Sequence, residues 1–189
     1  MKKILALFVT TVVVASAAFA TGTGKAVKPQ NSFAGGKWSI RVFFGLAGGD
    51  VKDDAEVDNI YGGGVEYTLP NVGGGTTPGS FAIGAEYNTS SNGIGDFNMQ
   101  NYGIYGAGYF GMGQNGGMGG LEFLGRVGYF NTRYEQGGTD DNKWGFGFDA
   151  GLRYKFQKAY IELFYRMRPS IDSFGNNAIV LGVNFPFGN

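Results

Sequence analysis

The stretch from Lys143 to Gln157 constrains the fold of this chain more than any other part of the sequence. Apolar residues occupy every second position from Trp144 to Phe156, and small or charged residues occupy the positions between them. This strict period of two predicts a β-strand with two chemically opposite faces. Strands of soluble sheets are usually about 5–6 residues long, whereas a strand that crosses a bilayer needs about 9–11. The run from 144 to 156 therefore suits a membrane-spanning strand better than a soluble one.

Residues 1–20 have the pattern of a cleaved signal peptide. Lys2 and Lys3 form a charged start, an apolar centre follows, and Ala18 and Ala20 mark a small-residue cleavage site. An uncleaved membrane anchor is the alternative, and the short apolar centre argues against it. Residues 21–36 predict a flexible N-terminal tail. No run of eighteen apolar residues follows the leader, so the exported chain could cross a membrane only as a closed barrel.

Eight segments with strand-like alternation follow the tail and define one predicted barrel domain over residues 37–187. Their predicted bounds are 37–48, 59–69, 80–90, 97–111, 121–135, 143–157, 160–169 and 177–187. An even number of long antiparallel strands can close without leaving an exposed edge. The predicted fold class is therefore all-β, an eight-stranded antiparallel up-and-down transmembrane β-barrel. The phase of the fourth strand is ambiguous, and we place Phe97, Met99, Tyr105 and Tyr109 together on its apolar face.

Alternation alone does not say which face of the barrel wall points inward. A soluble lipocalin-like barrel has its apolar face inside, and a membrane barrel has it outside. The apolar faces carry roughly 35 large side chains, which is more than the interior of an eight-stranded barrel can hold. The opposite faces have too much glycine and too few charges for a solvated surface. The apolar side chains are therefore predicted to face outward.

The inward faces then enclose charged side chains of both signs. Buried charges persist only when they are paired and hydrogen-bonded, so we predict a salt-bridge network that plugs the lumen. A structural filling is the favoured interpretation. A gated polar path is the alternative, because charges that line a lumen tune permeation in larger barrels. The predicted network consists of Arg41, Glu66, Glu86, Glu122, Arg126, Asp149, Arg153, Lys155, Glu162, Arg166 and Arg168.

Aromatic residues gather near both ends of the predicted strands, as expected for rings that prefer the headgroup level of a bilayer. One belt would contain Trp38, Tyr67, Phe81, Tyr109, Phe123, Phe156 and Phe187. The other belt would contain Phe44, Tyr61, Tyr87, Phe97, Tyr129, Trp144 and Tyr165.

Composition argues against several functional classes. Cysteine and histidine are both absent, so the chain has no disulfide, no thiolate metal site and no histidine base. We therefore predict no enzymatic activity and no cofactor. Without Lys2 and Lys3 the chain has 13 basic and 15 acidic residues, which is not the balance of a nucleic-acid-binding protein.

An acidic segment between the first two strands, 50–58, raises the question of a metal site. Clustered carboxylates could collect a hard divalent cation such as calcium. The segment lacks the glycine and the closing glutamate of an EF-hand loop, so we predict no metal site and interpret it as a solvated acidic loop.

The signal peptide, the eight alternating strands and the aromatic strand ends together resemble a known family. The pattern is similar to the small eight-stranded outer-membrane barrels of Gram-negative bacteria, of the OmpA/OmpX type, without a peptidoglycan-binding domain. In that family the last strand carries an assembly signal, a glycine and a terminal aromatic residue at fixed spacing, which the barrel-insertion machinery reads. Gly182, Phe185 and Phe187 match this spacing, whereas Val180 and the extension Gly188-Asn189 depart from it.

The resemblance implies a location and partners. It implies the cell outer membrane, contact with outer-membrane lipid, insertion by the barrel-assembly machinery, and a monomer. Both termini should face the periplasm, because the chain arrives from that side and the number of strands is even. The outward loops would then be 50–58, 91–96, 136–142 and 170–176. Three functions stay open: a structural or surface protein with a plugged lumen, a porin-like narrow pore or passive transporter, and a loop-borne binding or adhesion protein.

Overall fold

The computed structural model of the protein describes residues 37–48, 59–69, 79–91, 98–111, 120–156, 158–171 and 174–187. Every strand pairs in antiparallel fashion with its neighbours in sequence, and the last strand pairs with the first. The predicted fold class, an eight-stranded up-and-down barrel, is confirmed. The strands are β1 (Lys37–Gly48), β2 (Asn59–Thr68), β3 (Gly79–Ser91), β4 (Asn98–Gly111), β5 (Leu121–Gln136), β6 (Thr139–Phe156), β7 (Ala159–Ile171) and β8 (Phe174–Phe187).

Several sequence predictions concern residues outside these described ranges. They are the signal peptide 1–20, the tail 21–36, the acidic loop 50–58, the outward loop 91–96 beyond its first residue and the girdle position of Phe97. Within the described ranges, no helix is long and apolar enough to span a bilayer.

The strands are strongly staggered around the wall. In an eight-stranded barrel such stagger is linked to a strand tilt of about 35–45° and to an interior that side chains can fill. The narrow interior therefore forces inward side chains from different strands into contact. The stagger can be measured by stepping from Trp38 to its ladder partner on each following strand until the path returns to β1. The path returns at Gly48, ten residues beyond Trp38, from position 38 to position 48. The partners on the way are Tyr67, Ile83, Gly106, Val127, Phe148, Met167 and Asn177.

Large apolar side chains face outward, as predicted. On β1 the exposed residues alternate with buried ones, and the buried set includes Ser39, Arg41 and Phe43. We call the end of the barrel where β1 begins and β8 ends the terminal rim, and the opposite end the far rim. Aromatic rings gather at the terminal rim. At the terminal rim the Trp38 ring lies 5.1 Å from that of Tyr67.

The predicted phase of β4 is wrong. Met99, Tyr105 and Tyr109 are at most 4% exposed and point into the barrel, whereas Tyr102 and Ile104 face outward. The inward tyrosines are stable there because their hydroxyl groups find hydrogen-bond partners, as described below. Tyr109 is therefore not part of the aromatic belt.

Two of the predicted far-rim loops, 136–142 and 170–176, are longer than the loops in the structure. Gln136 is the ladder partner of Thr139, and Gly137 and Gly138 form the turn between them with φ values of 56° and 85°. Two successive positive φ angles are typical of a type I′ hairpin turn, which glycine adopts without strain. The predicted loop 136–142 is therefore a tight turn with continuing strands. The predicted loop 170–176 is shortened in the same way, because β7 and β8 extend to a pair between Ile171 and Phe174.

The inward glycine at position 84 gives a first test of this packing. A β-carbon at Gly84 would lie 2.5 Å from the ring of Tyr105, which is held by hydrogen bonds with Arg41 and Glu66. We expect Gly84→Ala to lower the free energy of unfolding by about 1–3 kcal/mol, as in other overpacked interiors. Urea unfolding in detergent micelles, followed by tryptophan fluorescence, measures this loss.

Gly106→Ala is the matched control for Gly84→Ala. Gly106 faces outward, and a β-carbon there would meet nothing within 4 Å. Equal losses of stability for both variants would contradict the packing explanation, because glycine-to-alanine backbone effects act at both positions.

Candidate functional site in the barrel lumen

The barrel interior gathers charged side chains from six strands into one cluster, which we call the central ion network. Each member lies at an inward position of its strand and is at most 5% exposed. The members are Arg41 of β1, Glu66 of β2, Glu86 of β3, Arg126 of β5, Asp149 of β6, and Glu162, Arg166 and Arg168 of β7.

The half of the network nearer the far rim consists of two arginines and two carboxylates. Arg168 donates from Nη2 to Glu86 Oε1 at 2.5 Å and from Nη1 to Asp149 Oδ1 at 2.7 Å. Arg166 donates from Nη2 to Glu86 Oε2 at 3.0 Å and from Nε to Asp149 Oδ1 at 3.4 Å. Each carboxylate thus accepts from both arginines, which offsets the repulsion between the two guanidinium groups.

The other half is centred on Glu162. Arg126 donates from Nη2 to both carboxylate oxygens of Glu162, at 2.8 and 2.9 Å. Arg41 donates from Nε to Glu162 Oε2 at 3.2 Å and from Nη1 to Glu86 Oε2 at 3.2 Å. Arg41 therefore joins the two halves.

Two tyrosines connect Glu66 to this half. Tyr109 donates its hydroxyl hydrogen to Glu66 Oε2 at 2.5 Å, and Tyr105 donates to the same oxygen at 3.2 Å. Arg126 donates from Nη2 to the Tyr109 hydroxyl at 3.1 Å, and its Nε lies 3.8 Å from Glu66 Oε2. The buried hydroxyl groups thus relay hydrogen bonds between an arginine and a carboxylate.

Aromatic rings support the flat faces of the arginines. The guanidinium carbon of Arg166 lies 4.3 Å from the Phe43 ring centre, and that of Arg168 lies 3.9 Å from the Phe130 ring centre. A guanidinium can stack on a ring while its edge donates hydrogen bonds, which an ammonium cannot do. This explains why arginine, and not lysine, is suited to the network.

The central ion network contains four arginines and four carboxylates, so its formal charge is zero. Removal of one partner from a buried network costs about 3–5 kcal/mol, because the remaining charge is buried without compensation. Several guanidinium nitrogens, such as Arg41 Nη2 and Arg166 Nη1, have no hydrogen-bond partner among the described residues. The network therefore holds its side chains in one arrangement, although it does not satisfy every hydrogen-bond donor that it contains.

The remaining predicted charges lie at the terminal rim. Arg153 pairs with Glu122, and its guanidinium carbon lies 3.3 Å from the ring centre of Tyr109. Lys155 is half-buried nearby. A cavity of about 10 Å³ opens beside Arg153, which is room for about one water molecule. Its lining consists of Lys37, Ser39, Glu66, Thr68, Ser80, Arg153, Tyr160, Asn184 and Pro186.

A neutral layer of amide and hydroxyl side chains lies on the far-rim side of the network. Asn101 Oδ1 accepts from Thr132 Oγ1 at 2.6 Å and from Asn176 Nδ2 at 2.8 Å. Asn101 Nδ2 in turn donates to Asn88 Oδ1 at 2.9 Å. These four side chains are at most 2% exposed, so the polar filling of the lumen continues beyond the charges.

The three residues of the predicted assembly signal occupy both faces of β8. Phe185 and Phe187 face outward and are about half exposed. Gly182 is buried, and a β-carbon there would lie 3.4 Å from Phe43 Cβ. Their role in assembly stays a prediction.

Sequence reasoning did not find Tyr105 and Tyr109 as lumen residues. The sequence contained a signal for their inward position. Ile104 lies on the opposite face of β4 from the two tyrosines, and it has no polar group that could find a partner inside the barrel. Asn101 shares the parity of the two tyrosines and is an inward residue too. In the described part of the chain, no group of three or more acidic side chains is arranged to hold a metal ion.

The network predicts a large difference between two arginine substitutions. Arg168→Met should lower the free energy of unfolding by about 3–5 kcal/mol, because Glu86 and Asp149 each lose a buried partner. Urea unfolding in detergent micelles measures the loss.

Arg133→Met is the control for Arg168→Met. Arg133 pairs with Glu135 and Asp140, but the three side chains are 40–47% exposed. Exposed ion pairs contribute at most about 1 kcal/mol, so this variant should unfold almost as the wild type does. A small loss for Arg168→Met would show that the buried pairs are not coupled as their distances indicate.

Comparison with known proteins gives a likeness in structure only. No protein-family model matches the chain, and no curated protein matches it by sequence. The N-terminal β-barrel domain of OprF from Pseudomonas aeruginosa is 15% identical, with a TM-score of 0.56, over 81% of this chain and 98% of that one. Ail, the attachment invasion locus protein of Yersinia pestis, in complex with the heparin analogue sucrose octasulfate, is 13% identical, with a TM-score of 0.50, over 81% of this chain and 99% of that one. The resemblance predicted from the sequence is thus confirmed at the level of the fold: the chain has the eight-stranded barrel fold of these outer-membrane proteins.

Proposed function

We propose that the protein is an integral outer-membrane barrel with a structural or surface role, whose lumen the central ion network closes to ions and small solutes. The observation that carries this proposal is the connection of all eight network charges through hydrogen bonds and ion pairs across the interior. A solute on its way through would have to separate these pairs in a medium of low dielectric constant.

The outward face supports the membrane location. Many large apolar side chains are about half exposed there, which is far more exposed apolar surface than a soluble monomer carries. Outer-membrane lipid would cover this surface, and the barrel-assembly machinery would insert the chain. We propose a monomer with the terminal rim in the periplasm.

A role other than catalysis fits the same features. The lumen charges are engaged with one another, and the sequence has no histidine to act as a base. The solved barrels of similar fold include an attachment protein, so a surface role is in keeping with the fold.

Ion conductance across planar bilayers tests the closed lumen. The wild-type chain should show no steady conductance, whereas Glu162→Ala should conduct, because Arg41 and Arg126 both lose their shared carboxylate. Arg153→Ala removes the ion pair at the terminal rim and should open only the mouth, with a smaller effect. We expect at least a tenfold difference in conductance between Glu162→Ala and the wild type.

Glu135→Ala is the matched control, because this glutamate is exposed on the β5–β6 hairpin. It should leave the bilayer as tight as the wild type does. Steady conductance of the wild type would overturn the closed lumen and make a narrow pore the better description of the protein.

Loop-borne binding is the second candidate function, and the β5–β6 hairpin favours it. The ladder between β6 and β7 begins at Phe148 and Met167, so the described part of β7 does not pair with 139–147 of β6. At the exposed tip, Arg133 donates to Asp140 at 2.6 and 2.8 Å and holds the pKa of that carboxyl below its ordinary value. A fixed ribbon with one free edge is a suitable surface for a partner strand. Shortening this hairpin should abolish attachment to a surface while leaving insertion intact, if this candidate is correct.

Insertion itself gives a further prediction at the end of β8. Phe187 is about half exposed and is a ladder partner of Trp38 at the terminal rim. Phe187→Ser should reduce the amount of protein in the outer membrane several-fold, measured by membrane fractionation and immunoblotting. Phe156→Ser is the control, since Phe156 is a similarly exposed aromatic residue at the end of β6. Unchanged levels of the Phe187 variant would contradict the assembly signal.

A further inference from the structure

The outward face of the wall contains a buried amide, Asn131. It has the same parity as the exposed residues Val127 and Tyr129 on β5, yet it is only 2% exposed. Its ladder partners are Tyr102 on β4 and Trp144 on β6. The carboxamide oxygen of Asn131 accepts no hydrogen bond from the described residues. A buried acceptor without a donor is costly, so a bound molecule that supplied a donor here would gain free energy.

Aromatic rings frame this amide, and we call Tyr102, Tyr129, Trp144 and Phe146 the aromatic patch. The Trp144 ring lies nearly parallel to that of Tyr129, with ring centres 5.5 Å apart and an angle of 16°. Tyr102 meets Trp144 edge to face at 5.7 Å, and Phe146 meets Tyr129 at 5.5 Å. The four rings are 42–69% exposed, so the patch presents both ring faces and ring edges to its surroundings.

The patch lies where the apolar part of the wall ends. Outward positions toward the terminal rim carry Ile104 and Phe148, whereas those toward the far rim carry Gln100, Asn142 and Arg133. This order of apolar, aromatic and polar side chains is typical of the level at which hydrocarbon gives way to headgroups.

The polar side chains near the patch favour a neutral ligand over an anion. Gln100 and Asn142 are neutral amides, and both are ladder partners of Arg133. Arg133 is already engaged with Asp140 and Glu135, so a phosphate there would meet two carboxylates. Amides pair well with hydroxyl groups, and aromatic faces pack against the apolar faces of sugar rings.

From these observations we propose that the aromatic patch and Asn131 bind the sugar headgroup of a glycolipid in the outer leaflet. A sugar hydroxyl would donate to the carboxamide oxygen of Asn131 while the ring packs against Trp144. The edge contact between Tyr102 and Trp144 must shift to admit the hydroxyl. The free energy of one ring contact is of the same order as that of the hydrogen bond gained, so the exchange is affordable. The proposal rests on the outer-membrane location proposed above.

Tryptophan fluorescence can report on this site directly. The chain has two tryptophans, so Trp38→Phe leaves Trp144 as a single probe inside the patch. The purified chain is reconstituted in phosphatidylcholine vesicles that contain increasing fractions of a neutral diglucosyl lipid. We expect a saturable shift of Trp144 emission. Asn131→Val should weaken the apparent affinity about tenfold, as the loss of one good hydrogen bond would.

Asn177→Val is the matched control, because Asn177 is an outward amide on β8, away from the patch. It should bind the diglucosyl lipid as the wild type does. A second arm replaces this lipid with phosphatidylglycerol, and a third adds the soluble disaccharide alone. An equal response to phosphatidylglycerol, an equal response to the free sugar, or unchanged affinity of the Asn131 variant would each overturn the proposal.

Failure here can be told apart from failure of the proposed function. A chain that inserts and stays tight in conductance but shows no response of Trp144 to the sugar would refute only the glycolipid site. A chain that does not insert into vesicles would refute the membrane location on which both proposals rest.

Discussion

The narrowness of the barrel interior is the constraint on which the rest of this structure depends. Eight staggered strands leave no space in which an inward charge could keep a full shell of water. Each inward charge must therefore meet a partner from another strand, and Arg41 does so with Glu86 and Glu162, which lie on two other strands. The inward glycines follow from the same constraint, since a β-carbon at Gly84 would displace the Tyr105 ring.

The period of the sequence was enough to predict the number of strands, their bounds within a few residues and the outward direction of the apolar face. The same period assigns each charged residue to one face of the wall, because every residue of a strand is placed once one residue is placed. It did not determine which charge meets which. Arg126 and Glu162 are 36 positions apart in the chain, and only the stagger between strands brings them into contact.

Three features could not be predicted from the period of two, each for a different physical reason. Tyrosine has an apolar ring and a polar hydroxyl, so Tyr105 and Tyr109 fit either face of the barrel wall until their partners are known. The β5–β6 hairpin depends on the backbone and not on hydrophobicity, because Gly137 and Gly138 form a two-residue turn where a longer polar loop was expected. Asn131 is the third case, since an amide on the outward face breaks the alternation rule on which the prediction was built.

The spread of the central ion network over the whole circumference has a consequence for how the chain acquires its fold. Arg41 is on the first strand and Glu162 on the seventh, 121 positions later, so their hydrogen bond can form only when the sheet is almost complete. Until β8 pairs with β1, the arginines and carboxylates must stay hydrated, because a charge without a partner cannot be buried at a tolerable cost. When β8 pairs with β1, the sheet loses its open edges and the interior loses its water in the same step. A half-assembled barrel would still be a water-filled trough.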